Sequence, residues 1–248
     1  MERLPLQDLE NLIVVLVRPR NPLNIGAAAR AMSNFGARRL RLVNPYGVAF
    51  REARSAVGAL SVLEEAEEFS TVAEAVGDCS LVVGTTAVRD RTLHQPPRVL
   101  GEDSARIVRG TLDKGRAAIL FGSEKIGLTN DDFSHCHWLM TVSTSETNIS
   151  LNLGQAVAVC LYELSRNETA AAPDTEREPA SSEKVEQITK GVLEALDISG
   201  YIKPGTAKMF ERKTRQLILH FNLEAYDGKL LLGMVRQIVW KLKHPGKT

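Results

Sequence analysis

Residues Leu120–Leu164 read LFGSEKIGLTNDDFSHCHWLMTVSTSETNISLNLGQAVAVCLYEL. An apolar strand, Ala117–Phe121, runs into Gly122-Ser123-Glu124-Lys125-Ile126-Gly127-Leu128. Two glycines enclosing charged residues at a strand's carboxyl end predict a backbone-shaped ligand loop rather than a simple turn. A second short strand, Leu139–Val142, follows, and the polar run Ser143–Ser150 then leads into a helix over Asn152–Ser165. Leu153, Ala156, Val157, Val159, Cys160, Leu161 and Leu164 cover so much of that helix that it is predicted to be largely buried. Entry through Asn-Ile-Ser-Leu-Asn puts polar side chains and free backbone N–H groups at an internal site, which is costly unless something binds there.

Outward from this stretch, the chain alternates strands and helices. Leu12–Val17 (LIVVLV) is a continuous apolar strand of the buried, parallel kind. Arg18-Pro19-Arg20-Asn21-Pro22 breaks it, and Asn24 is placed to cap a small-residue helix that ends near Gly36. Arg39–Val43 and Ser80–Thr85 are further strands; Phe50–Leu60, Thr71–Gly77 and Glu102–Leu112 read as helices. Val88–Arg98, with two prolines and five charged or histidine residues, reads as a mobile loop. The fold class is therefore α/β, with a mainly parallel sheet and helices on both faces. Residues 1–166 form this domain. Residues 167–181, polar and proline-containing, are expected to be a linker, and 182–248 a small all-helical extension with helices over Ser182–Leu196, Thr206–His220 and Tyr226–Leu242.

The chain has 248 residues, 44% hydrophobic and 25% charged, and a net charge of +1. That composition is of an ordinary soluble protein. No apolar run reaches membrane-spanning length, so no membrane partner is expected. Three separated cysteines (Cys79, Cys136, Cys160) form no disulfide framework and fit a reducing cytoplasm. Charge is unevenly spread: Lys203–Thr248 carries ten Lys/Arg against three Asp/Glu, and Met1–Phe50 carries seven against three. Two basic regions on a nearly neutral chain fit either a polyanionic partner or a solvated surface.

Several residues are candidates for chemistry. Asn24 and Arg30 alone fit an ordinary cap and a surface arginine; with Arg18 and Arg20 they make three guanidiniums around one helix N-terminus, a phosphate site. Glu124 fits either a loop salt bridge with Lys125 or an acceptor for a substrate hydroxyl. Ser150 and Asn152 read as caps by default, and their place beside the glycine loop gives them a possible site role. His135-Cys136-His137 resembles a metal cluster, but adjacent side chains diverge and no second ligand pair has suitable spacing, so no metal is expected. GxGxxG, GxSxG and GxxxxGK[ST] are absent, which removes the main support for dinucleotide, serine-hydrolase and P-loop readings.

Three motifs stand in order: Asn24–Arg30, Leu120–Leu128 (LFGSEKIGL) and Asn148–Ala158 (NISLNLGQAVA). Together they resemble the SPOUT-class RNA 2'-O-ribose methyltransferases of the TrmH group, over about residues 12–165. Gly84-Thr85-Thr86-Ala87, Gly127-Leu128-Thr129-Asn130 and the tail stretches Gly200–Pro204 and Arg212–Arg215 are similar to the branch that methylates cytidine or uridine at position 32 of the tRNA anticodon loop. The resemblance implies a trefoil knot holding S-adenosylmethionine, a homodimer in which one subunit's Arg completes the other's site, and tRNA as partner. It places the donor against Thr85, Thr86, Ala87, Gly122, Val142, Ile149, Ser150 and Leu151. Asn24, Arg30, Glu124, Ser150 and Asn152 become the catalytic, RNA-side residues. Ile149 stands where many relatives have a small or hydroxyl residue, so only its backbone can bond the donor. Arg18, Arg20, Lys203, Arg212, Lys213 and Arg215 are the expected RNA contacts. Ribosomal RNA as substrate, or a knotted RNA-binding protein without catalysis, are the competing readings.

Overall fold

The computed structural model describes residues 9–55, 61–87, 96–166, 179–203 and 205–244. Seven strands form one sheet: β1 (Leu12–Val17), β2 (Arg39–Val43), β3 (Glu67–Phe69), β4 (Leu81–Thr85), β5 (Arg98–Val99), β6 (Ala117–Phe121) and β7 (Trp138–Thr141). Their order is β3-β2-β1-β6-β4-β7-β5, and every paired neighbour is parallel. A parallel sheet must be covered on both faces, and β1 shows why its sequence is apolar throughout. Leu12, Val14 and Leu16 enter one core, while Ile13, Val15 and Val17 enter the other.

The first core is closed by α1 (Pro22–Phe35), α2 (Gly47–Ser55), α3 (Ser61–Glu64), α5 (Glu102–Leu112) and α7 (Leu153–Ser165). The second is closed by α4 (Val72–Ala75) and by Phe133, in α6 (Asn130–Phe133), with Cys136 beyond it. The chain lays β1, β2 and β3 to one side, then returns so that β6 fills the place between β1 and β4. The connections on either side of that junction diverge, and a crevice opens at the carboxyl ends of β4, β6 and β7.

Two strands, β3 and β5, were not legible in the sequence, and β5 pairs through Arg98, which had been assigned to a loop. Residues 88–95 of that expected loop lie outside the described residues, as do 56–60 of the expected Phe50–Leu60 helix, whose described part runs instead over Gly47–Ser55. The helix after β1 starts earlier than expected. Asn21, not Asn24, is its N-cap: the Asn21 side chain accepts the Leu23 N–H, and Pro22 occupies the first turn. Proline is preorganised for that position and lacks a donor that would otherwise be orphaned.

The tail forms α8 (Ser182–Ile198), α9 (Ala207–His220) and α10 (Ala225–Lys243) around a small core of Val185, Ile188, Ile218, Leu219 and Leu232. It docks on its own chain. The Ser182 and Glu183 N–H groups donate to the Cys79 and Gly77 carbonyls, and the expected linker already ends in an ordered bridge between Pro179 and Glu224. Arg215, in α9, donates to Ser134 Oγ at 2.8 Å and pairs with Glu186 at 2.8 Å and Glu211 at 2.7 Å. Arg215→Ala would leave the half-buried Glu186 with only Lys190, 4.0 Å away, as a cation, a loss of ~2 kcal/mol. Urea unfolding is expected to show a loss of that order, and a midpoint equal to wild type would contradict it.

The His135-Cys136-His137 segment is structural. The His137 ring Nδ1 accepts the Val82 N–H at 3.0 Å, and burial holds that ring down to about 4. Burial, then the charge of Arg215, holds His135 down to about 4 as well. Both rings stay neutral in the folded protein while the unfolded chain binds protons from about pH 6.5 downward. Their contribution to stability is therefore nearly complete above pH 7 and lost as pH falls towards 4, with about 2 kcal/mol per ring gone at pH 5. Thermal melts at pH 7.5 and 5.0 should show a lower Tm at the acid pH, and equal Tm values would refute this account.

Candidate functional site

The crevice holds a cavity of about 760 Å³. Its size suits a nucleoside-scale ligand. Three chain segments wall it. Thr85, Thr86 and Ala87 leave the end of β4; Gly122 to Leu128 leave β6; Val142, Thr144 and Ile149 to Asn152 connect β7 to α7. Phe121, Met140, Leu153 and Cys160 supply an apolar floor. The eight residues expected to meet a donor (Thr85, Thr86, Ala87, Gly122, Val142, Ile149, Ser150 and Leu151) all belong to this one wall.

The glycine loop closes on itself. Gly127 N–H donates to the Ser123 carbonyl at 2.7 Å, and Gly127 has φ +67°. A Cβ on Gly122 would lie 2.1 Å from the Gly127 carbonyl carbon and 2.2 Å from the Leu128 nitrogen. Glycine is thus required at 122 by the loop's own return, which brings the loop backbone to the cavity edge. Thr85 Oγ1 donates to the Leu120 carbonyl at 2.8 Å and the Thr86 N–H to the Met140 carbonyl at 2.9 Å, tying the β4 exit to both neighbouring strands.

At the mouth, Glu124 is an acceptor hub. Its Oε1 accepts the Asn21 N–H at 3.1 Å and the Asn24 Nδ2 at 3.0 Å; its Oε2 accepts the Arg20 N–H at 3.1 Å. Burial acts to raise the Glu124 pKa, but these donors outweigh it and hold the carboxyl below its ordinary value. Asn24 in turn accepts the Asn152 Nδ2 at 2.7 Å through its Oδ1. Asn152 also caps α7, its Oδ1 accepting the Gly154 N–H at 2.9 Å. Glu124, Asn24 and Asn152, from three separate motifs, are therefore one hydrogen-bonded cluster, with Ser150 exposed beside it on the cavity wall. Because Asn21 caps α1, the Asn24 side chain is released for this cluster.

Arg30 lies outside the cavity wall. Six residues beyond Asn24, it is ~120° around α1 and ~9 Å along it. It shares an exposed stripe with Leu23 and Ala27, and exposed Val159 and Tyr162 continue the apolar surface on α7. α1 and α7 are pressed together: a Cβ on Gly154 would meet Ala27 Cβ at 2.6 Å.

Two of the arginines expected to face RNA pair with carboxylates of their own chain. Arg18 forms a two-pronged pair with Asp132, which is only 5% exposed. Arg215 is 4% exposed and held by Glu186, Glu211 and Ser134. Arg18, with 32% of its side chain exposed, gives its fork to Asp132, and Arg215 gives its fork to Glu186 and Ser134. Arg20, Lys203 and Lys213 are exposed and Arg212 half-buried. Among the described residues, no group of three His, Cys, Asp or Glu is placed to hold a metal, and no helix is long and apolar enough to cross a membrane.

Residues 11–162, which contain the whole cavity, match the model of the SpoU rRNA Methylase family. The chain belongs to the SpoU methylase family. It is a methyltransferase, with the mainly parallel sheet and flanking helices of that family. Its likeness to individual SpoU methylases continues past the family model into the helical tail. It is 35% identical over 248 residues to the tRNA (cytidine/uridine-2'-O-)-methyltransferase TrmJ of Yersinia enterocolitica, covering 96% of this chain and 95% of that protein. With the protein of the same name from Klebsiella pneumoniae it shares 34% over 241 residues, covering 93% and 97%. The crystal structure of TrmJ from Z. mobilis superposes with a TM-score of 0.78 at 35% identity, covering 91% of this chain and 98% of that one.

Proposed function

We propose that this SpoU methylase transfers a methyl group from S-adenosylmethionine to the ribose 2'-OH of cytidine or uridine at position 32 of the tRNA anticodon loop. The observation that carries the reading is the joining of Asn24, Glu124 and Asn152 at the mouth of a cavity walled by every residue expected to meet the donor. The cavity fits that donor. Its floor is apolar, and its walls are loop segments whose backbone can bond a nucleoside and a methionine end. Thr85 to Ala87, Gly122, Val142 and Ile149 to Leu151 would hold it, Ile149 through its backbone. The meeting of three chain segments around one cavity is in keeping with the trefoil knot that the family resemblance implies. When bound, the donor supplies a methyl already activated by the sulfonium charge.

The protein's task is then to align the hydroxyl and ease loss of its proton. Glu124 is ill suited as the base, because the donors that lower its pKa make it a weak proton acceptor and occupy its oxygens. It orients Asn24 instead, and Asn24, Ser150 and Asn152 position ribose and phosphate. Arg30, a guanidinium with five donors and no acceptor, would orient and polarise the hydroxyl rather than remove its proton. Its place outside its own cavity supports a site completed by a second copy of the chain, docked on the exposed Leu23, Ala27, Val159 and Tyr162 surface. Arg20, Lys203, Arg212 and Lys213 remain as RNA contacts, the last three on a tail that the TrmJ likeness also covers. Burial pushes the Cys160 thiol up to about 12 and raises those of Cys79 and Cys136, so all three are unreactive, in keeping with a cytoplasmic enzyme.

Equilibrium dialysis with labelled S-adenosylmethionine and no RNA is the direct test of the cavity. Saturable binding at one site per chain is expected. A protein that takes up no donor at millimolar concentration would overturn the proposal.

A further inference from the structure

Glu124 is itself held from the β1 side of the site. Its two backbone donors, the Arg20 and Asn21 N–H groups, belong to the short turn between β1 and α1. That turn is pinned. The Arg18 N–H donates to the Val43 carbonyl at 2.8 Å, and the Pro19 carbonyl accepts the Tyr46 N–H at 3.1 Å. Arg18 has φ +53°, a left-handed conformation that a non-glycine residue holds only when its surroundings impose it. The Arg18 side chain is held by Asp132. Its Oδ1 accepts Arg18 Nη1 at 3.1 Å, and its Oδ2 accepts Arg18 Nη2.

The same carboxylate has a second task. Asp132 Oδ2 accepts the Thr129 N–H at 2.6 Å and the Thr129 hydroxyl at 2.8 Å, capping α6. Thr129 immediately follows Leu128, the last residue of the glycine loop that carries Glu124. One buried carboxylate therefore ties together the turn that presents the donors and the loop that presents the acceptor. Burial acts to raise the Asp132 pKa, yet the bonds from Arg18 and Thr129 outweigh it, so the carboxylate is charged as this task requires.

We propose that Arg18 and Asp132 are a positioning pair: they hold the Arg20–Asn21 amides against Glu124 and thereby set Asn24 and Asn152 for the reaction. The proposal rests on the methyl-transfer reading for its effect on rate, but not for its geometry. Arg18 is then a residue of the site's support and touches no substrate. A guanidinium fork, not merely a positive charge, is what the two-pronged contact uses.

The geometry is tested without any substrate, by amide hydrogen exchange resolved residue by residue. In Arg18→Ala, the Arg20 and Asn21 amides are expected to exchange at least ~10-fold faster, while the amides of β1 and β6 keep their protection. Arg18→Ala leaves a buried carboxylate without its cation, so the neutral pair R18Q/D132N serves as a second variant and should show the same local loss. Unchanged exchange at Arg20 and Asn21 in a folded variant overturns the proposal, as does faster exchange spread equally over the sheet. The rate consequence is read from a double-mutant cycle with Glu124→Gln. If Arg18 acts through Glu124, removing it lowers kcat in the wild type by about tenfold and by less than twofold in the Glu124→Gln background, and Arg18→Lys recovers only part. Additive losses overturn it. Absence of methyl transfer by the wild type would instead count against the methyl-transfer reading, and the exchange result would still decide the pair.

Discussion

Replacing Arg30 by alanine is expected to abolish methyl transfer to tRNA, by ~10²-fold or more in kcat, while S-adenosylmethionine binds within about twofold of wild type. The two halves of this expectation come from one fact. Arg30 is exposed on α1 and lies outside the wall of its own cavity, so its removal disturbs neither the loops nor the floor that would hold a donor. A positioned guanidinium that aligns and polarises the attacking hydroxyl contributes only when RNA is present. The arrangement also predicts complementation. Arg30→Ala subunits keep an intact cavity, and Gly122→Ala subunits keep an intact Arg30. Dimers exchanged from an equal mixture should regain about a quarter of wild-type activity, since half are mixed and each mixed dimer has one complete site. A mixture as inactive as its parents would place Arg30 in its own chain's site or outside the mechanism. Near-normal turnover by Arg30→Ala alone would remove it from the mechanism altogether.

Gly122→Ala is the second large effect. The added methyl would sit 2.1 Å from one backbone atom and 2.2 Å from another, and neither can swing aside as a side chain would. The loop from Gly122 to Leu128 must open, breaking the 2.7 Å bond from the Gly127 N–H to the Ser123 carbonyl. That loop is one wall of the cavity and carries Glu124 at its mouth. Donor affinity is expected to fall by more than ~10-fold, with a loss of stability of ~1–3 kcal/mol from the overpacking. Isothermal titration and a thermal melt on the same sample read both. An alanine variant that binds donor like wild type would show that the loop does not shape the pocket.

The parts of this molecule that were legible in its sequence are those written locally. β1 and β6 are runs whose apolar character leaves little choice, β2 alternates Arg and Leu, and all three fall over the residues expected. β3 is Glu-Glu-Phe and β5 is two residues long, so neither carries a pattern, and each exists because a neighbouring strand offers it an edge. Two further boundaries are also written locally. Pro22 after Asn21 marks the true start of α1, and Thr129 followed by Asp132 three positions later marks the capped start of α6. The internal pairing of Arg18 and Arg215 was hidden for a different reason. Asp132 is 114 residues from Arg18 and Glu186 is 29 residues from Arg215, and only Glu211, one turn before Arg215, is local. Counting basic residues along a chain does not reveal which guanidiniums the fold will pair internally. The candidate site was legible as three motifs, but that Glu124, Asn24 and Asn152 form one hydrogen-bonded cluster follows only from the sheet order that brings β1, β6 and α7 together.

The central claim is methyl transfer to a tRNA ribose, and the measurement that bears on it most directly is product identity. Purified protein is incubated with methyl-labelled S-adenosylmethionine and, separately, total tRNA and ribosomal RNA lacking their own modification; the labelled RNA is then digested to nucleosides and mapped. The account predicts label in tRNA as 2'-O-methylcytidine or 2'-O-methyluridine at position 32, with little in ribosomal RNA. Label confined to ribosomal RNA, or a methyl group on a base rather than a ribose, would contradict it.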